Sequence, residues 1–241
     1  MSQGVIVGCD MQMEWMLPWW WQHYARHNAL PVAFVDWGMS EEGRQFCAQR
    51  GLLLNLSGTF DFISLKSEIS QDLIERWEAI YQGDVWGPRL SWFRKPFVMA
   101  QTPFEKTIWV DLDCEIVGSL KPLFSKIHPH SGMALARELQ DNGYNSGVVV
   151  YNRNSPLLQQ WMDGCVHFNH AFLSDQDVLS FIIESENVEI IELPEEYNWR
   201  MKNGVTLDAV IIHWVGLWGK SVIKRLVQKS VCLNFNSFVV D

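Results

Sequence analysis

The chain has 241 residues, 48% of them hydrophobic and 20% charged, a balance that supports a sizeable core and argues against disorder. Its formal net charge of -9 repels a phosphate backbone, so non-specific nucleic-acid binding is not expected. The five cysteines are odd in number and none has Cys-x-x-Cys spacing, which disfavours a disulfide framework or zinc knuckle and fits a reducing compartment.

Val5 to Cys9 is a short apolar, β-branched run that predicts a buried strand ending at Asp10. A helix is predicted from about Glu14 to Arg26. Its tryptophan-rich start, Trp15 to Trp21, reads either as a helix face packed in the core or as an interfacial patch touching a membrane or a partner. Pro31 to Val35 predicts a second strand ending at Asp36, and Ser40 caps a helix running through Ala48 and stopped by Gly51. Leu52 to Leu54 predicts a third strand, 57–67 a loop, and Glu68 to Tyr81 a helix with Ile69, Leu73, Trp77 and Ile80 on one stripe. Another helix is expected from Arg89 to Ala100, with Pro96 inside it. Thr107 to Val110 predicts a central buried strand, ending at Asp111-Leu112-Asp113. Strands follow at Met133 to Ala136 and Val148 to Tyr151, then helices at Pro156 to His167 and Gln176 to Glu184. Strands at Val188 to Ile191 and Ala209 to Ile212, and a helix from Lys220 to Gln228, complete the pattern. Strands alternating with helices predict an α/β fold with a mostly parallel central sheet and helices on both faces. No repeat or linker is visible, so one domain is expected. No charged n-region or long apolar run opens the chain, so neither a signal peptide nor a spanning helix is expected. The expected location is cytoplasmic, with peripheral contact at the inner membrane face under the interfacial reading of the tryptophans.

Open α/β sheets bind ligands beyond the carboxyl ends of their strands. Asp10, Asp36, the Asp111-Leu112-Asp113 triplet and His213 all fall at such ends. In an extended segment residues i and i+2 point the same way, so Asp111 and Asp113 can aim two carboxylates at one point. Two adjacent carboxylates repel unless a cation lies between them, and hard oxygen ligands suit Mg²⁺ or Mn²⁺. The bland alternatives are a solvated turn for the triplet and a buried, hydrogen-bonded imidazole for His213. Asp175 reads equally as an N-cap or first-turn acid, Asn145-Ser146-Gly147 as a turn, and Arg94 and Lys95 as solvated helix residues. Gly219-Lys220-Ser221 is not a phosphate loop, because that motif needs glycine where Trp214 stands.

Five blocks in series resemble glycosyltransferase family 8. They are Pro103 to Phe124 around the triplet; Tyr144 to Val150 with its Asn-Ser-Gly; Ser174 to Leu179 with its Asp-Gln-Asp; Leu193-Pro194 with Tyr197-Asn198-Trp199; and His213-Trp214-Val215-Gly216 with Lys220. The first ninety or so residues are only loosely similar. The resemblance implies a single GT-A-like domain over 1–241, with a nucleotide-binding part to about residue 120 and an acceptor and sugar part beyond it. It implies a metal-dependent, retaining hexosyl transfer from a nucleotide-sugar donor, often a UDP-sugar, with Mn²⁺ or Mg²⁺ as cofactor. The partners it implies are that donor and a glycan, lipid-linked or protein acceptor. Asp111, Asp113 and His213 would then be the metal ligands, with Lys220 on the diphosphate and Gly216 in the same loop. Asn145, Asp175 and Gln176 would line the sugar pocket, Gln176 nearest the reacting face and, with Asp175, taking the catalytic positions. Lys95 or Arg94 would be the basic residue over the donor, and Asp10 would hold the base or ribose. Lys220 follows His213 by one residue more than in the family, so either Gly219 absorbs the extra residue or Lys220 is not the equivalent group. The rival readings are a non-catalytic nucleotide-sugar or glycan-binding module of the same fold, for which the tryptophans suit sugar stacking, and a sugar nucleotidyltransferase, whose glycine- and arginine-rich N-terminal loop is missing at Val5 to Asp10.

Overall fold

The computed structural model describes residues 2–55, 60–138 and 143–236, with the side chains of 202 and 229–236 excepted. Within these residues β1 (Gln3–Cys9), β2 (Val32–Asp36), β3 (Leu52–Asn55), β4 (Lys106–Val110), β6 (Met133–Arg137), β7 (Tyr144–Asn152) and β8 (Ile191–Leu193) form a seven-stranded sheet in the order β3-β2-β1-β4-β7-β6-β8. All its pairs are parallel except the two made by β7. A second sheet, ordered β5-β10-β9, joins β5 (Cys114–Ile116), β10 (Ile211–His213) and β9 (Trp199–Arg200).

The sheet is buried on both faces, and the alternation of side chains along its strands divides the core in two. Val5, Val7 and Cys9 of β1 face α1 (Leu17–His27) and α2 (Glu41–Ala48), while Ile6 faces the layer holding α4 (Trp86–Ala100), α5 (Pro156–Phe168) and α6 (Asp175–Ser185). The remaining helices are α3 (Gln71–Tyr81) and α7 (Gly216–Asn236). Trp20, wholly buried, stacks on Tyr24 at 5.1 Å and meets Phe34 edge-on at 6.2 Å. Trp19 is buried, and Trp15 and Trp21 are half-buried against the same core. The core reading therefore describes these tryptophans: each indole removes a large apolar area from water, stabilising the fold by roughly 2–3 kcal/mol when burial is complete. No described helix is long and apolar enough to cross a membrane. Cys9, Cys47, Cys114 and Cys165 are free thiols; the side chain of Cys232, and residues 57–59 of the expected loop, lie outside the described residues.

Several boundaries differ from the sequence reading. β7 begins at Tyr144 rather than Val148, because Asn145-Ser146-Gly147 is strand rather than turn. β8 runs over Ile191–Leu193, not Val188 to Ile191: Val188 instead bonds back to Ile183 O at 2.9 Å and closes α6. α7 begins at Gly216, four residues before the expected start, because Gly216 adopts φ +76 and turns the chain directly from β10 into the helix. β5 and β9 were not expected: two or three residues carry no readable period.

Candidate active site

The carboxyl ends of β1, β2 and β4 deliver Asp10, Asp36 and Asp111 to one edge of the sheet. β7 runs the opposite way, so its first residues, Asn145 to Gly147, reach that same edge. The Asp111 N–H donates to Gly147 O at 2.8 Å, which ties the triplet to β7. The small sheet then pairs Cys114 with His213, and the Trp214 N–H donates to Asp113 O at 3.0 Å. Three distant segments thus converge without a single long loop.

His213 Nε2 lies 3.3 Å from Asp113 Oδ1 and 4.0 Å from Asp111 Oδ2. Each aspartate also has a lysine: Lys220 Nζ is 2.8 Å from Asp113 Oδ2, and Lys95 Nζ is 3.1 Å from Asp111 Oδ1. The Trp109 indole donates to Asp111 Oδ1 at 2.6 Å. Burial by itself would raise the Asp113 carboxyl, but the Lys220 ammonium and the His213 ring hold it far below the usual carboxylate range. Both lysines are held above their ordinary range, Lys95 chiefly by Asp111 and Lys220 by Asp113, against burial acting the other way. Two carboxylates and an imidazole nitrogen make a donor set that fits a hard divalent cation. The Cys114 thiol also comes within 4.8 Å of the Asp113 and His213 donor atoms. It is wholly buried and pushed well above its ordinary value by that burial, so as a protonated thiol it is the poorer ligand. Asp111, a quarter exposed, is the more open of the two carboxylates.

Asp175 lies on the far side of Lys95, 3.9 Å from its Nζ. Its Oδ2 accepts from Ser146 Oγ at 3.1 Å. Burial pushes this carboxyl up to about 6, with Lys95 opposing. The helix cap is a different pair: Ser174 N–H and Oγ–H both donate to Asp177 Oδ2 at 2.9 Å, leaving Asp175 free to face inward. Gln176 Oε1 accepts from Asn145 Nδ2 at 3.3 Å and Ser146 N at 3.5 Å. Arg89, 1% exposed, fixes the loop leading into this helix by donating to the carbonyls of Asn169, Phe172 and Leu173 at 2.6–2.9 Å. Gly147 leaves room for the His213 ring: a Cβ there would sit 2.6 Å from Nδ1 and closer still to Cε1. Gly219 plays the same part against the Trp214 backbone, whose Cα would be 2.9 Å from an added Cβ. That close approach lies one residue before Lys220, whose side chain turns back onto Asp113.

Other sequence candidates lie elsewhere. Arg94 packs over Phe60, 5.1 Å from the ring centroid, so of the two adjacent basic residues only Lys95 enters the cluster. Asp36 is paired with Arg44 at 2.6 Å and accepts from the Gly38 and Met39 amides. Asp10 sits at the sheet edge and accepts from Met13 N–H at 2.9 Å, starting the next helix. The sequence reading assigned no role to Arg89, Ser146, or the buried Glu138–Arg200 ion pair beside Asn145. Arg89 and Glu138 lie outside its motif blocks, Arg200 follows one directly, and nothing in their local pattern signals a site.

No family model and no curated protein matches the sequence. Solved structures do match its fold. The glycosyltransferase GlyE from Streptococcus pneumoniae TIGR4 superposes with a TM-score of 0.62 at 15% identity, over 90% of this chain and 56% of that one. The galactosyltransferase LgtC, solved with donor and acceptor sugar analogues, gives 0.61 at 13% identity over 94% of this chain and 95% of that one. Mouse xyloside xylosyltransferase 1 gives 0.55 at 14% identity over 88% of this chain and 97% of that one. The chain thus spans just over half of the GlyE structure but nearly all of the other two, and it shares with them the GT-A fold, a mixed α/β architecture around a mostly parallel sheet.

Proposed function

We propose that the chain is a metal-dependent, retaining glycosyltransferase that moves a sugar from a nucleotide-sugar donor, a UDP-sugar, to an acceptor hydroxyl. The observation that carries the reading is the approach of both triplet carboxylates to His213 Nε2, Asp113 at 3.3 Å and Asp111 at 4.0 Å, at the carboxyl edge of the sheet, where open α/β sheets bind ligands. The shared fold with glycosyltransferases supports it. In this reading Asp111, Asp113 and His213 hold Mn²⁺ or Mg²⁺. When bound, the ion neutralises the charge that grows on a departing nucleoside diphosphate. Lys220 swings its ammonium from Asp113 to the diphosphate and stabilises the same charge. Lys95 holds Asp111 and Asp175 in place. Asn145, Asp175 and Gln176 orient the sugar, with Gln176 nearest the reacting face. Asp10 and Gly216 contact the donor at the nucleoside and diphosphate ends. The acceptor hydroxyl attacks from the face the leaving group vacates, which retains the anomeric configuration.

The test is calorimetric titration of UDP, with and without Mn²⁺, into wild type and Asp111→Ala. Metal-dependent binding that disappears in the variant supports the reading and directs a screen of UDP-sugars for hydrolysis and transfer. Silence from UDP and every other nucleoside diphosphate refutes it and leaves a fold without its donor chemistry.

A further inference from the structure

The orientation of the buried amides beside His213 can be worked out from groups able to act in only one sense. The Gly147 N–H donates to Asn145 Oδ1 at 2.9 Å, so that atom is the acceptor. On the other side of the same amide, Asn145 Nδ2 donates to Gln176 Oε1 at 3.3 Å, and that oxygen is fixed as an acceptor by the Ser146 N–H. The Glu138 carboxylate, 3.5 Å from Asn145 Nδ2, agrees. The atom of Asn198 that approaches Asn145 Oδ1 at 2.8 Å must then be its Nδ2. Its Oδ1 is left facing His213 Nδ1, also at 2.8 Å. Asn198, His213 and Asn145 are 6%, 4% and 4% exposed, so water does not readily substitute for any of these bonds.

We infer that Asn198 is a positioning residue that holds the His213 ring with its proton on Nδ1. The inference rests on the proposed metal role of His213. With the proton on Nδ1, the Nε2 atom that faces Asp113 at 3.3 Å and Asp111 at 4.0 Å is the one a cation would take. Without Asn198 the favoured tautomer is the reverse one: Nε2–H donates to Asp113, and the ligand position is blocked. Histidine ligands are generally set in this way by a partner on the other ring nitrogen. The relay also joins the metal ligand to the sugar side, because Asn145 and Gln176 belong to the same chain of amides.

The test is ¹⁵N NMR of the histidine rings in the metal-free, full-length protein at alkaline pH, with His213 assigned from the spectrum of His213→Gln. The expected wild-type ring is protonated at Nδ1. Asn198→Leu, which keeps the volume and removes the acceptor, is expected to move the proton to Nε2 and weaken Mn²⁺ binding about 10–100-fold. Asn198→Asp, which still accepts from Nδ1 but loses the donor to Asn145 Oδ1, is expected to keep the proton on Nδ1. A neutral wild-type ring protonated at Nε2, or undiminished Mn²⁺ affinity in Asn198→Leu, overturns the inference. If wild type binds no Mn²⁺ even with UDP, it is the glycosyltransferase reading that falls, while the tautomer of the metal-free ring still decides the relay. If Asn198→Leu does not fold, the wild-type spectrum decides alone.

Discussion

Gly147→Ala crowds the His213 ring and, less severely, Asn145 Oδ1 in the candidate site. Gly147 does not occupy the positive-φ region, so alanine meets no backbone penalty there and the whole effect comes from the new methyl group. Its Cβ would lie 2.6 Å from His213 Nδ1, whereas ordinary contact begins at 3.4 Å. The ring must therefore retreat by at least about 0.8 Å, the difference between those distances, and by more at Cε1. Metal ligation tolerates errors of only about 0.2 Å, and an ångström of misplacement in a catalytic constellation costs on the order of 100-fold. Overpacking of this kind destabilises a core by about 1–3 kcal/mol, which leaves a folded protein to assay. The expected result is a loss of Mn²⁺-dependent UDP binding of about 100-fold by calorimetry, with a modest fall in Tm. Wild-type metal affinity in a folded Gly147→Ala protein would refute both the placement of His213 and its role as a ligand.

Lys220→Met is expected to act with opposite signs on two ligands: it removes a cation competing for Asp113, so Mn²⁺ alone binds about tenfold more tightly, while UDP with Mn²⁺ binds about tenfold more weakly. Parallel titrations check this, and changes of the same sign in both refute it. The raised Asp175 carboxyl, at about 6, means that the native chain keeps a proton the unfolded chain releases near its ordinary value of about 4. Stability therefore falls as pH rises from about 4 to about 6, and urea unfolding across that window should show a shallower fall in Asp175→Asn; identical pH slopes count against it. Arg89→Met leaves the buried Asn169 carbonyl and the partly buried carbonyls of Phe172 and Leu173 without their donor and is expected to cost about 3 kcal/mol in urea unfolding; a cost under about 1 kcal/mol would show that the loop before Asp175 is held by something else.

The strands β1, β2 and β4 were legible because each is an apolar, β-branched run closed by a polar residue, and burial on both faces demands that composition. The triplet was legible for the same reason: it directly follows an apolar run, so its place at the carboxyl edge follows from the strand. Asn198 was visible only as part of a motif, since a single asparagine in a short irregular segment has no local signature. β5, β9 and β10 were unreadable or misplaced because two- and three-residue strands are made by their partners rather than by their own propensity.

The sequence by itself determined the α/β class, the cap at Ser40, and the residue types able to hold a divalent cation. These depend on periodicity and on neighbours a few positions apart, which local physics controls. Only the tertiary structure decided that β7 runs antiparallel, and with it that Asn145 to Gly147 reach the edge where Asp111 stands. Only it separated Lys95 from Arg94, aimed Lys220 at Asp113 through the close approach of Gly219, and set Asn198 against His213. Direction and contact between segments far apart in the chain are fixed by which arrangement buries both faces of the sheet at once, and that is a property of the whole packed core.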